Sequence, residues 1–249
     1  MYCIGLHYPQ FDRHPALMCL ALRAARKAGV QRMIVVSGIS SYGRPRAERV
    51  NEDHPREPEA RKGRYRKDQE DAAIAAHEPG VVGTLVLHLP DFYGPYASNS
   101  LAHMTLESLM SGKAARRLGN LDLPHEFVFM PDAARVIVEL LQHPECFGRR
   151  WKFAGPGAIS GRRFAELTAS EIGYQPRVLR TGRWMLRLGG LFTPPCSASR
   201  SNCKYLGGTP VLLDASALSA AFGGLQKTPY EKGVRRMVKW MRCQVRTAG

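Results

Sequence analysis

Ile34 to Pro45, IVVSGISSYGRP, decides how the rest of the chain is read. The β-branched run Ile34, Val35 and Val36 has the pattern of a strand buried on both faces, and it stops abruptly at Ser37, Gly38, Ser40, Ser41 and Tyr42. In an open parallel α/β sheet, ligands bind at the carboxyl ends of the strands, so these hydroxyls and freed amides are expected at the rim of a site. A serine-rich turn that merely closes a core strand carries the same local chemistry, and the stretch alone does not separate the two.

Upstream, Tyr2 to Leu6 reads as a short strand. His14 to Gly29 reads as a helix with Pro15 in its first turn, Leu17, Met18, Leu20 and Ala21 on its apolar side, and Gly29 as terminator. Strand, helix and strand make a βαβ unit, which implies a parallel sheet with a right-handed crossover. Downstream, Gly43 to Arg61 is rich in Pro, Glu and Arg and reads as a surface loop. A helix over Lys62 to His77 and a buried strand over Val81 to Leu89 come after it, the strand ending in PDFYGP, Pro90 to Pro95. The pattern continues with a helix over Ser100 to Ser111, a strand over Glu126 to Met130 and a helix capped by Asp132 that runs to Gln142. A strand over Arg150 to Ala154 and a helix from Ser160 to Ile172 come next. Trp184, Leu186, Leu188, Leu191 and Phe192 then suggest a small helical lobe. A strand at Val211 to Asp214, a helix from Ser216 to Phe222 and a basic amphipathic helix from Pro229 to Cys243 close the chain. The alternation predicts an α/β fold with an appended lobe.

Composition narrows the setting. The 249 residues are 44% hydrophobic, as in an ordinary globular protein. No stretch reaches the roughly 20 apolar residues of a membrane span, and the N-terminus has no signal-peptide pattern, so a cytoplasmic protein is expected. Cys3, Cys19, Cys146, Cys196, Cys203 and Cys243 are scattered without zinc or disulfide spacing and read as reduced. A net charge of +15 attracts polyanions, but the basic residues are spread along the chain with no zinc finger or RNP pattern. A solvated cationic surface is therefore preferred over nucleic-acid binding. The glycine-rich turn Gly155, Gly157 and Gly161 is a poor match to a dinucleotide loop, because Ser160 takes the third glycine's place and no acidic ribose reader comes after it.

Six pieces in order bring a family into view. They are the serine rim with Tyr42-Gly43, the Glu52 to Pro55 loop, the helix from Lys62 with Glu70, and the Tyr93-Gly94-Pro95 turn. Phe129 to Asp132 and the Thr228-Pro229 to Trp240 helix complete the set. Together they resemble the NAD-dependent epimerase/dehydratase family, the extended short-chain dehydrogenase/reductases that act largely on nucleotide sugars. The resemblance implies a partial Rossmann-like, doubly wound parallel sheet over residues 1–155 and a smaller, mostly helical substrate lobe over 156–249. It implies NAD or NADP as cofactor and a nucleotide sugar as small-molecule ligand. Aligned this way, Tyr2 to Leu6 matches the fourth strand of the family sheet. The chain then reads as a member lacking its N-terminal third, with an open sheet edge suited to pairing with another chain, a second copy included.

The family transfers a proton through a tyrosine whose acidity is raised by a lysine, with Ser or Thr on the same substrate oxygen. Counting from Tyr42 and Glu70 puts Gly38 at the hydroxyl, Lys62 at the tyrosine and Arg66 at the lysine. Ser37 and Ser40 are the nearby candidates for the missing hydroxyl, the alternative being that they bond their own turn. Tyr65 and Lys67 diverge too far around a helix to form a shifted pair. Tyr42, Asp91 and Tyr93 are candidate cofactor contacts, with Asp91 equally able to cap its turn and Tyr93 equally able to be core. His88 reads as a satisfied core histidine. The expected protein is an epimerase/dehydratase-like member with altered catalytic groups, Ser37, Ser40, Lys62 and Arg66. A non-catalytic protein of the same fold that binds a nucleotide or sugar phosphate is the alternative.

Overall fold

The structure, a computed structural model, describes residues 1–97, 100–111, 115–118, 122–173, 178–181 and 210–247. In chain order its regular elements begin with α1 (His14–Lys27), β1 (Arg32–Gly38), α2 (Arg61–Ala75), β2 (Gly83–Leu89), β3 (Asp91–Tyr93), α3 (Leu101–Met110) and β4 (Ala115–Leu118). They continue with β5 (Pro124–His125), β6 (Phe127–Phe129), α4 (Met130–Gln142), β7 (Arg150–Lys152), β8 (Ile159–Ser160) and α5 (Gly161–Ile172). The last are β9 (Val178–Thr181), α6 (Ser216–Ala221) and α7 (Tyr230–Thr247). The predicted α/β class is the observed one. The lobe expected around Trp184 to Phe192 lies outside the described residues.

The chain divides into two compact units, each assembled from separate stretches. The first takes Met1–Pro90, Ala133–Phe153 and Leu213–Leu225. Its sheet is parallel, in the order β1-β2-β7, with Ile34 opposite Leu85 and Val35 opposite Val86. Every residue of β2 is buried, which explains a near-continuous apolar strand in place of an alternating one. On one side Met33, Val35 and Val86 pack with Met18, Leu22 and Ala25 of α1 and Ala73 of α2. Elsewhere in this unit α6 touches β7, and Arg32 reaches from β1 to the Leu141 carbonyl at the end of α4.

Two expected strands shrink to single bridges. Tyr2 alone pairs with β1, its N–H donating to the Ile34 carbonyl at 2.7 Å and its carbonyl accepting from Val36 N–H at 3.0 Å. Cys3, Ile4 and Gly5 are exposed, so no buried face rewards a longer strand, and the chain turns off into a short 3-10 segment at Tyr8–Arg13. Likewise Val211 to Asp214 contributes one bridge, Leu213 to Val50.

The second unit takes Asp91–Asp132, Ala154–Leu212 and Gln226–Gly249. Short strand pairs, β3 with β6 and β4 with β9 in parallel and β5 with β8 antiparallel, accompany an aromatic core of Tyr93, Phe127, Phe129, Phe164 and Tyr230. Val234, Met237, Val238 and Met241 close that core from α7 at helical spacing. Asp132, expected to cap α4, lies inside its first turn, and its buried carboxylate accepts the Thr228 N–H at 2.6 Å and the Thr228 hydroxyl at 2.8 Å.

Gly233 of α7 sits against Tyr93, where an added Cβ would stand 2.2 Å from the phenol oxygen. Helix propensity alone favours Gly233→Ala by about 1 kcal/mol. The overpacking of a buried phenol reverses that sign, and the variant is expected to lose about 2 kcal/mol, read as a lower urea midpoint at unchanged slope.

Candidate functional site

Strand register builds the site. Ser37 on β1 stands opposite His88 on β2, and His88 opposite Lys152 on β7. In-register residues of neighbouring strands point to the same face, so these three form a polar row where the Met33, Val35 and Val86 face ends. All three are buried at the carboxyl ends of parallel strands.

Glu70 is the hub of the row. It lies three residues before Ala73 on the buried side of α2, and its carboxylate is wholly out of solvent. The Ser37 hydroxyl donates to Oε1 at 2.5 Å, while His88 Nε2 lies 3.0 Å and Arg56 Nη1 2.8 Å from Oε2. Burial raises the Glu70 carboxyl, but His88, the Ser37 hydroxyl and Arg56 outweigh it and hold the group below the usual carboxylate range. Beyond His88, the Tyr42 hydroxyl lies 3.2 Å from Nδ1. Burial, with Glu70 adding to it, pushes that phenol above its ordinary value. Beside an ionised Glu70, His88 Nε2–H is the donor of that pair, while the Tyr42 hydroxyl, able to donate or accept, meets Nδ1 in either ring state.

Arg56 also bonds Asp71, which Arg150 Nη2 reaches at 2.6 Å. Lys152 carries no exposed surface; its Nζ lies 5.3 Å from the Tyr42 ring centroid and 3.9 Å from Glu52 Oε1. Burial lowers this amine to about 8 against the opposing pull of Glu52.

Lys62 and Arg66 form a second cluster at the start of α2. The Lys62 ammonium lies 4.9 Å and the Arg66 guanidinium 5.7 Å from the Phe11 ring centroid, and Arg66 Nη1 donates to Gln69 at 2.9 Å. Buried His14 meets Phe11 edge-on at 4.9 Å; burial, with Arg66 and Lys62 adding to it, lowers its imidazole to about 4.

The candidates read from the sequence therefore separate. Ser37 and Tyr42 join the row, Lys62 and Arg66 join the Phe11 cluster, and Ser40 is half-buried in the 3-10 turn Ile39–Ser41. Asp91 and Tyr93 belong to the second unit, Asp91 in register with Phe127 and Tyr93 wholly buried in the aromatic core. His88 is satisfied, as expected, but by a carboxylate and a phenol. Arg56 and Lys152 were not singled out by sequence reasoning, and Glu52 entered it only as the start of the Glu52 to Pro55 loop. The available signal was a lysine flanked by Trp151 and Phe153 on a buried strand, a place where unpaired lysine is rare.

Chemically, the row holds charge and donates or accepts hydrogen bonds; a phenol with raised pKa is a poor proton donor at neutral pH. Among the described residues no His, Cys, Asp and Glu group is arranged to hold a metal ion, and no helix is long and apolar enough to cross a membrane. The Gly155 turn is used for packing. A Cβ there would stand 2.2 Å from the Phe127 carbonyl oxygen, Gly157 O accepts the Tyr230 hydroxyl at 2.7 Å, and Ser160 caps α5 through the Arg163 N–H at 3.0 Å.

The sequence model of the NAD dependent epimerase/dehydratase family matches residues 10–151, more than half of the chain. Solved structures resemble the chain throughout. The dTDP-glucose 4,6-dehydratase of Bacillus anthracis, in complex with NAD, superposes with a TM-score of 0.75 at 15% identity, covering 96% of this chain and 71% of its own. The UDP-glucuronic acid 4-epimerase of Bacillus cereus, with UDP-glucuronic acid and NAD, gives 0.76 at 15% identity over 93% of this chain and 68% of its own. The dTDP-glucose 4,6-dehydratase of Streptomyces venezuelae gives 0.75 at 18% over 97% and 71%. At these identities the likeness is one of fold. No curated protein matches the sequence.

Proposed function

The chain belongs to the NAD-dependent epimerase/dehydratase family, and from that premise we propose that it binds a nucleotide-linked sugar as an epimerase/dehydratase-like protein with altered proton-transfer groups. One observation carries the reading: Lys62 and Arg66, the residues that counting from Tyr42 and Glu70 puts at the family's tyrosine and lysine, are two cations gathered on Phe11. A lysine and an arginine suit a diphosphate, but neither replaces a phenol held next to a lysine. One of the similar solved structures, the Bacillus cereus epimerase, holds UDP-glucuronic acid.

The family is NAD-dependent, yet the described residues do not fit the cofactor's pyrophosphate. The one glycine-rich turn before a helix is filled by the Phe127 backbone and by its own capping bonds. The chain's own contribution is binding: Lys62 and Arg66 offer positive charge, and the Ser37, Glu70, His88 and Tyr42 row fixes the strand ends beside them.

A non-catalytic binding protein is the second reading, favoured by Ser37 and Tyr42 spending their hydroxyls on Glu70 and His88. Lys62→Ala separates the two. Calorimetry with UDP-glucose is expected to register about tenfold weaker binding. Loss of a measurable NAD-dependent turnover in the same variant assigns the chain to the enzymes, and weakened binding with no turnover in the parent protein assigns it to the binding class. Unchanged affinity removes Lys62 from the site.

A further inference from the structure

Lys152 Nζ and Glu52 Oε1 face each other across 3.9 Å, and both atoms are buried without a hydrogen-bond partner among the described residues. The separation exceeds the 2.7–3.2 Å of a direct N–H···O bond, and a single oxygen about 2.8 Å from each would complete both. That oxygen has to accept from an ammonium and donate to a carboxylate, which a hydroxyl or a water does and a phosphate or carbonyl oxygen does not. The pair lies at the edge of the core. Glu52 belongs to the polar loop between Gly43 and Ala60, and its side chain is a quarter exposed while that of Lys152 is wholly covered. The Tyr42 ring, itself buried, flanks the ammonium and closes that side of the gap. Lys152 also ends β7, beside His88, on the rim where an open parallel sheet receives ligands.

We propose that Lys152 and Glu52 form a subsite for a ligand hydroxyl and, resting on the nucleotide-sugar reading above, that this hydroxyl belongs to the hexose. The pair bonds one oxygen in both directions and so selects a polyol over an anionic group.

Calorimetric titration of the full chain with UDP-glucose and with UDP tests the assignment; UDP-glucose is chosen because its hexose is uncharged. The parent protein is expected to bind UDP-glucose about tenfold more tightly than UDP. Lys152→Met and Glu52→Ala are each expected to erase that difference and leave UDP affinity unchanged, with circular dichroism verifying the fold. Glu52 lies in a loop, so its variant keeps the test open should the strand variant misfold. An undiminished preference for UDP-glucose in both folded variants overturns the subsite, as does a parent protein that binds the two ligands equally, which leaves the gap to water. Equal weakening toward UDP and UDP-glucose overturns the hexose assignment in favour of the ribose. A parent protein that binds neither ligand overturns the nucleotide-sugar reading itself, an outcome distinct from the others.

Discussion

Glu70→Ala is expected to lower stability by about 3–5 kcal/mol, the cost of removing one partner from a buried charge cluster. The variant leaves Arg56 with Asp71 alone and strips the Ser37 hydroxyl and His88 Nε2 of the acceptor that both share. For a chain of this length the melting temperature should fall on the order of 10 °C, measurable by calorimetry. The effect has a pH signature. Glu70 titrates lower in the folded protein than in the unfolded chain, so its contribution is complete above the ordinary carboxylate pKa of about 4.3 and disappears as pH falls through the lower folded value. The parent protein therefore loses this increment on acidification and the alanine variant does not. A variant of parental stability at pH 7 would mean that the cluster's desolvation cost cancels its attraction.

Lys152→Met should act in the opposite direction and raise stability at pH 7 by about 3 kcal/mol. Methionine fills a similar volume without a buried charge, and the folded amine, lowered to about 8 from 10.5 mainly by burial, measures the cost of charging it. Between pH 8 and 10.5 the unfolded chain binds more protons than the folded one at this site, so the parent protein gains stability across that window. The methionine variant lacks the gain, and the gap between the two should close as the pH rises. Denaturant melts at pH 7 and pH 10 measure it; equal stabilities at both values would show that Lys152 is not held at a cost. A buried lysine retained against a stability penalty is the pattern expected of a residue kept for a ligand.

Much of the fold was legible because hydrophobic period and chain punctuation agree in the first half. Ile34 to Val36 and Leu85 to Leu89 read as buried strands, Pro15 and Gly29 bracket a helix, and Tyr42-Gly43 with Glu70 carry the family spacing. Tyr2 and Val211 misled for one reason: an apolar run predicts a strand only where a partner strand and a covered face exist, and neither is visible locally. The site was legible at its landmarks but not at its hub. Glu70 served only to count positions, and its role depends on Ser37, His88 and Arg56 meeting from three separate stretches. Asp132 is similar, since its partner Thr228 is 96 residues away and no local pattern announces it.

The in-register row gives the site a sensitivity to counting rather than to residue type. Side chains alternate faces along a strand, so deleting one residue between Val82 and His88 would shift the remainder of β2 by one place and turn the imidazole away from Glu70, though every functional residue stayed in the sequence. Substitutions along this rim alter the chemistry one group at a time. Insertions and deletions alter parity, so the lengths of β1, β2 and β7 are as much a part of the site as Ser37, His88 and Lys152.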